Sequence, residues 1–206
     1  MKKIILSMAA VAMIATTAQA QEKTFGFNEG DVLLEGNVSF SSTKNNNTDV
    51  KENSFTFAPK AGYFLTDDFA VGVQLDVTNS KTEAGSAESK ENTFGAGVFG
   101  RYYFLDLGQR FKTYGELGLG FASFKEENTF GNTTNEIKAS GFGAGVGLGI
   151  NYFVTEKIAI NFALTDILSY TSYKPKDGES INSFGLQVNE INNFFSTAQF
   201  GLTFKF

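Results

Sequence analysis

Residues Gly141 to Ile150 read GFGAGVGLGI, with glycine at 141, 143, 145, 147 and 149. A glycine-rich run cradles phosphate when its glycines stand at i, i+2 and i+5 between a strand and a helix. Here i+5 is Val146 counted from Gly141 and Leu148 counted from Gly143. No Lys-Ser or Lys-Thr pair follows, which also excludes a P-loop. The chain has no histidine and no cysteine. It therefore lacks the side chain that titrates most readily near neutral pH, and it can form neither disulfides nor thiolate metal sites. Asp49 and Glu52 follow Asn45, Asn46 and Asn47, but their spacing matches no calcium loop. The sequence thus offers no catalytic residue, no cofactor site and no metal site.

A spacing of two is the side-chain period of a strand. Opposite the glycines, the ladder carries Phe142, Ala144, Val146, Leu148 and Ile150. Seven further stretches alternate in the same way: Val32–Ser41, Ser54–Leu65, Phe69–Thr78, Thr93–Phe104, Phe111–Phe124, Ile158–Tyr170 and Phe194–Phe206. The ladder itself extends to Phe153. Each has one apolar face, such as Phe69, Val71, Val73, Leu75 and Val77. Near Asp166 the alternation breaks, and a bulge there would re-aim the chain. The opposite faces hold glycine and small polar residues with few charges: Glu35, Lys60, Asp76, Arg101, Lys112, Glu116 and Lys205. These form a candidate interior polar network. Glu35, Asp76 and Glu116 can pair with Lys60, Arg101, Lys112 and Lys205, because buried charges require partners. An ion path is the alternative use.

The connections alternate in length. Leu65–Asp68, Leu105–Gln109 and Val154–Lys157 are short, whereas Ser42–Asn53, Asn79–Asn92, Lys125–Glu136 and Thr171–Asn193 are long and polar. Short turns on one side and long loops on the other are the pattern of a transmembrane barrel. Aromatics gather at both ends, Tyr63, Phe69, Tyr102, Phe104, Phe111 and Tyr152 by the short turns. Phe40, Phe55, Phe94, Phe121, Phe142, Tyr170 and Phe194 stand by the long loops, as two interfacial girdles would. A soluble lipocalin-like barrel would put more lysine and glutamate on its polar face. The expected fold is all-β, an eight-stranded antiparallel up-and-down transmembrane barrel. Ile181–Val188 alternates too, but an extra crossing would place the termini on opposite sides, so it reads as a short extracellular strand or cap. The ladder's glycines face inward, where they leave room for bulky or charged groups from the opposite wall or ease sharp curvature.

The first residues, MKKIILSMAAVAMIATTAQA, combine Lys2 and Lys3, an apolar stretch and Ala18-Gln19-Ala20. That is the pattern of a secretory signal cleaved after Ala20. The expected organisation is a signal at 1–20, a short periplasmic segment at 21–30 and the barrel at 31–206. The formal charge of −5 becomes −7 without the two signal lysines, which disfavours nucleic acid as a partner.

Together these residues resemble the small eight-stranded outer-membrane barrels of the OmpA/OmpX-like class, and more loosely the outer membrane protein beta-barrel domain proteins common in Bacteroidota. The ending, with Phe200, Leu202, Phe204 and Phe206 at alternate positions, resembles the signal read by the barrel-assembly machinery. The resemblance implies the outer membrane of a Gram-negative cell, outer-membrane lipid around the barrel and the assembly machinery as a partner. Enzymatic barrels of that membrane resemble one another in using a histidine base, so it also implies a non-enzymatic protein. Two roles remain open: envelope structure or surface interaction through the loops, and an accessory subunit of a larger transport or secretion complex. The loop charges, among them Lys81, Glu83, Glu88, Lys125 and Glu136, serve either as solvated linkers or as a binding surface.

Overall fold

The computed structural model describes residues 25–176, 178–186 and 199–206. Its strands are β1 (Val32–Asn45), β2 (Val50–Phe64), β3 (Phe69–Ala84), β4 (Ala87–Leu107), β5 (Phe111–Phe130), β6 (Thr133–Phe153), β7 (Ile158–Pro175), β8 (Ile181–Leu186) and β9 (Gln199–Lys205). Every pairing is antiparallel between neighbours, from β1–β2 to β6–β7. The sheet closes where β9 pairs with both β1 and β7. β8 pairs with Leu168–Tyr173 and β9 with Ile158–Ala163 of β7, so the two lie along the same edge and together fill the eighth position. The protein is a closed eight-stranded up-and-down barrel.

Two of the three short turns are fixed by threonine. The Thr66 hydroxyl accepts from the Phe69 amide at 3.1 Å, and the Thr155 hydroxyl accepts from the Ile158 amide at 3.0 Å. Each local bond stops a strand and starts the next. The final residue completes the seam, since Val32 and Phe206 exchange both backbone bonds at 2.9 Å.

Burial is inverted relative to a water-soluble fold. The apolar face of every strand points out, with Val73, Val98, Leu119 and Phe142 exposed, while Arg101, Asn151 and Asn161 are buried. Only a hydrocarbon surround makes that arrangement favourable. Outward aromatics form pairs at both ends of the band: Phe111 with Tyr152 at 4.7 Å, and Phe142 with Tyr170 at 6.0 Å. Phe94 and Tyr102 on β4 are eight residues apart, which at ~3.3 Å per residue and the usual tilt is roughly a 20 Å height.

One expectation changes in detail, and two others are met. The segments read as long loops are strand: β3 and β4 pair as far as Ala84↔Ala87, and β5 and β6 as far as Phe130↔Thr133. Above the membrane both faces meet water, so the apolar alternation ends while the ladder does not. Gly85 and Gly131 sit at the tips with φ of 58° and 59°, the conformation that tight hairpins ask of glycine. Near Asp166 the β6–β7 register shifts twice, between Val146 and Gly147 and between Leu148 and Gly149, which re-aims the chain as the sequence suggested. The expected Ile181–Val188 strand is β8. Its last two residues, the first part of the expected Phe194–Phe206 strand and the 1–20 signal lie outside the described residues.

Candidate functional site: the lumenal charge network

Four of the sequence-predicted interior charges meet at one height. Arg101, 0% exposed, points inward from β4. Its Nη1 donates to Glu35 Oε2 at 2.9 Å and its Nη2 to Glu35 Oε1 at 3.0 Å. Its Nε and Nη2 donate to Glu116 Oε2 at 2.8 and 2.5 Å. Lys60 donates to the other oxygen of Glu116. Two cations and two carboxylates therefore balance. The guanidinium lies 4.0 Å above the Tyr114 ring, which holds its plane. A guanidinium presents its donors in a fixed fork that matches carboxylates in this way.

Strand pairing sets the positions. Glu35 faces Lys60 and Lys60 faces Gln74, whereas Arg101 faces Glu116 and Ala70, four residues along β3 from Gln74, so the ions occupy two inward ranks that the strand tilt brings to one height. The remaining lone pairs are taken up by neutral groups. Glu35 Oε2 accepts from Asn161 Nδ2 at 2.8 Å and from Thr203 at 3.0 Å. Asn151 donates to Thr203, Tyr103 donates to Asn151, and Asn161 donates to the Tyr114 hydroxyl. Tyr103, Tyr114, Asn151, Asn161 and Thr203 had no place in the sequence-predicted set. Their signal was available in the alternation, since each falls on an inward position.

The other predicted charges lie elsewhere. Lys112 bonds Asp106 at 2.5 Å and Lys205 pairs with Asp31 at 3.4 Å, both toward the end of the short turns. Asp76 sits above the network and accepts from Thr78 at 3.3 Å. In the terminal motif, Leu202 and Phe206 are exposed on the outer face and Phe204 is half-buried, while Phe200 pairs through its backbone with Phe162.

Below the ions lies an aromatic layer. Phe27, from the segment before β1, stacks on Phe64 at 4.2 Å and meets Tyr103 and Phe153 at 5.1 and 5.2 Å. The segment is tied down by Gly30 N to Phe64 O and by Glu29 N to Asp67. The glycines are explained locally. A Cβ on Gly149 would come within 2.2 Å of the Tyr114 ring, and one on Gly72 within 2.6 Å of Phe99. The bulky groups that use this room come from adjacent strands, not from the far wall as expected. A Cβ on Gly141 would strike the backbone of Ser172 at 2.2 Å, so there the sheet's own close packing excludes a side chain. Gly143 and Gly145 have nothing nearer than 3.5 Å.

The lumen is thus crossed by a bonded ionic layer and an aromatic one. Residues 6–206 match the outer membrane protein beta-barrel domain, and the chain belongs to that family. It is an integral outer-membrane protein. No curated protein matches it by sequence. Among solved structures it is similar to OprG of Pseudomonas aeruginosa, at 15% identity and TM-score 0.51 over 88% of this chain and 98% of that one. It is similar also to a major outer membrane protein of Thermus thermophilus, at 12% identity and TM-score 0.51 over 87% and 100%. At 16% identity and TM-score 0.49, covering 86% and 99%, it is similar to Ail, the attachment invasion locus protein of Yersinia pestis. Family membership sets aside the soluble lipocalin-like barrel, for the physical reason already given by the outward apolar face.

Proposed function

We propose that this protein is a non-enzymatic barrel whose sealed body carries its β-hairpins above the membrane as an interaction surface. The observation that carries the reading is the contrast between the two ends. The lumen is crossed by the Arg101–Glu35–Glu116–Lys60 layer, while β3 to β6 continue as paired strand well beyond Phe94 and Phe121. From Phe94 to Ala87 the rise is on the order of 20 Å. A wall so long is not needed to cross lipid, and surface scaffolds are where binding residues concentrate. The leader at 1–20 delivers the chain across the inner membrane and is cleaved after Ala20. The alternate residues Phe200 to Phe206 engage the barrel-assembly machinery.

The test is gentle detergent extraction from native membranes, followed by size and mass analysis of what travels with the protein. A species no larger than one barrel in its micelle supports a stand-alone surface protein. A stable larger assembly would replace this reading with the accessory-subunit one, and release without detergent would overturn both.

A further inference from the structure

The inner face of the β3–β4 and β5–β6 hairpins carries one continuous rank of small polar side chains. Thr82 faces Ser89, Ser89 faces Asn128 and Asn128 faces Asn135. Strand alternation puts all four on the side of Gln74, Arg101 and Glu116, so they line the cup above the lumen. Successive members stand about 4.8 Å apart. One rank higher on the same face, Phe130 is 73% exposed and faces Thr133. Together these residues line a cleft of about 270 Å³ between the two hairpins.

Little of the bonding capacity of this rank is used. Lower on the wall, hydroxyls satisfy one another: Ser54 bonds Ser80 at 3.0 Å and Thr56 bonds Thr78 at 3.1 Å. Thr82, Ser89 and Asn135 make no side-chain hydrogen bond among the described residues. Asn128 donates once, to Glu126 Oε1 at 2.7 Å, which fixes its amide and leaves an acceptor and a second donor open. Charge is sorted around the cleft. Glu91 and Glu126 face each other in the rank below. The lysines of the two hairpins, Lys81, Lys90, Lys125 and Lys138, all fall on the outer face by alternation. An anionic ligand would therefore meet repulsion and no counter-charge. A peptide strand would need a free sheet edge, and β3, β4 and β5 have neighbours on both sides at this height.

We infer that, on hairpins serving as an interaction surface as proposed above, this cleft is a binding site for a neutral saccharide. Hydroxyls and amides each both donate and accept, which matches the hydroxyls that ring a sugar. Phe130 supplies an exposed apolar plate for the C–H face of the same ring, so an aromatic and a few convergent polar groups meet in one concavity. The Glu91 and Glu126 carboxylates accept from further hydroxyls and turn away sulfated or sialylated chains.

The test uses the full chain in detergent micelles on an array of neutral oligosaccharides, each spotted beside its sialylated counterpart. Wild type binds at least one neutral chain and leaves the sialylated form of it. The double variant Asn128→Ala, Asn135→Ala weakens that binding by on the order of 10-fold, from the loss of two neutral hydrogen-bonding groups. Phe130→Ala weakens it as well. Lys138→Gln, on the outer face of the same hairpin, leaves it unchanged. Folding of each variant is verified by heat-modifiable gel migration. Absence of binding to every neutral chain, equal binding of the sialylated counterparts, or undiminished binding by the folded double variant overturns the site. The surface reading fails separately: a native assembly larger than one barrel removes it, whereas a stand-alone barrel that binds no saccharide loses only this site.

Discussion

Arg101 and Glu35, sixty-six residues apart in sequence, form a two-pronged ion pair inside the barrel, at 2.9 and 3.0 Å. The pair joins β4 to β1 across the lumen, so it fastens walls that share no backbone ladder. Removing the guanidinium leaves two carboxylates facing each other away from water. Arg101→Met is expected to cost about 3–5 kcal/mol, measured by denaturant unfolding in phospholipid vesicles. Arg101→Lys keeps the charge but loses the fork, and is expected to cost about 1–3 kcal/mol. Planar-bilayer recordings separate the two uses of these charges. If Arg101→Met raised conductance with stability unchanged, the network would be an ion path and not a bolt.

Gly149 and Tyr114 make a second pair in which one residue exists for the other. Gly149→Ala would place its methyl 2.2 Å from the ring and the hydroxyl. Tyr114 would have to swing away, losing the bond from Asn161 and its place under Arg101. The expected cost is about 2 kcal/mol. Gly143→Ala, with nothing nearer than 3.5 Å, is expected to stay within about 0.5 kcal/mol of wild type. Equal effects of the two substitutions in the same unfolding assay would remove the steric explanation for the ladder.

Much of this was readable from alternation, because in a membrane barrel period two assigns each residue to lipid or lumen. Val73 and Phe142 went outward and Glu35, Arg101 and Glu116 inward on that basis alone. Which inward charges meet is a question of height, and height depends on the stagger between strands, which no single strand records. That is why Lys60 joins Arg101's network while Lys112 and Lys205 bond at the mouth. The hairpin extensions were hidden for another reason. In Lys81–Ala84 or Lys125–Phe130 both faces are wet, so polarity no longer alternates. The turn signals Gly85-Ser86 and Gly131-Asn132 were nonetheless present, and they fix the tips.

Phe27 is the least legible of the important residues, since it precedes the first strand and has no period to belong to. Its ring closes the aromatic layer against Phe64, Tyr103 and Phe153. Phe27→Ala is expected to cost about 3 kcal/mol and to free the segment around it. Limited proteolysis of folded protein would report this as new cleavage between Phe25 and Gly30. Unchanged protection would mean that the backbone bonds from Glu29 and Gly30 suffice without the ring.

The hairpin charges predict a pH dependence with a definite sign. Bonds from Lys81 and Lys90 hold Glu88 below the usual glutamate range, those from Lys138 and Lys125 do the same for Glu136, and Lys81 lowers Glu83. Hydrogen bonds to Glu83 and Glu88 raise Lys81, and those to Glu127 and Glu136 raise Lys125. A carboxylate depressed in the folded state contributes stability above its unfolded value, and loses it as pH falls through the folded one. A raised lysine contributes below its unfolded value and loses that contribution as pH climbs through the folded one. The ion-pair ladder within each of the β3–β4 and β5–β6 hairpins is therefore fully present from about pH 5 to pH 10 and weakens on either side. Hydrogen exchange, corrected for intrinsic rates, should show protection of residues 79–92 and 125–138 falling below about pH 4 while the membrane-embedded strands stay protected. These groups are exposed, so high salt should produce a similar loosening at neutral pH. Protection that ignored both acid and salt would show that the backbone ladder alone holds the hairpins together.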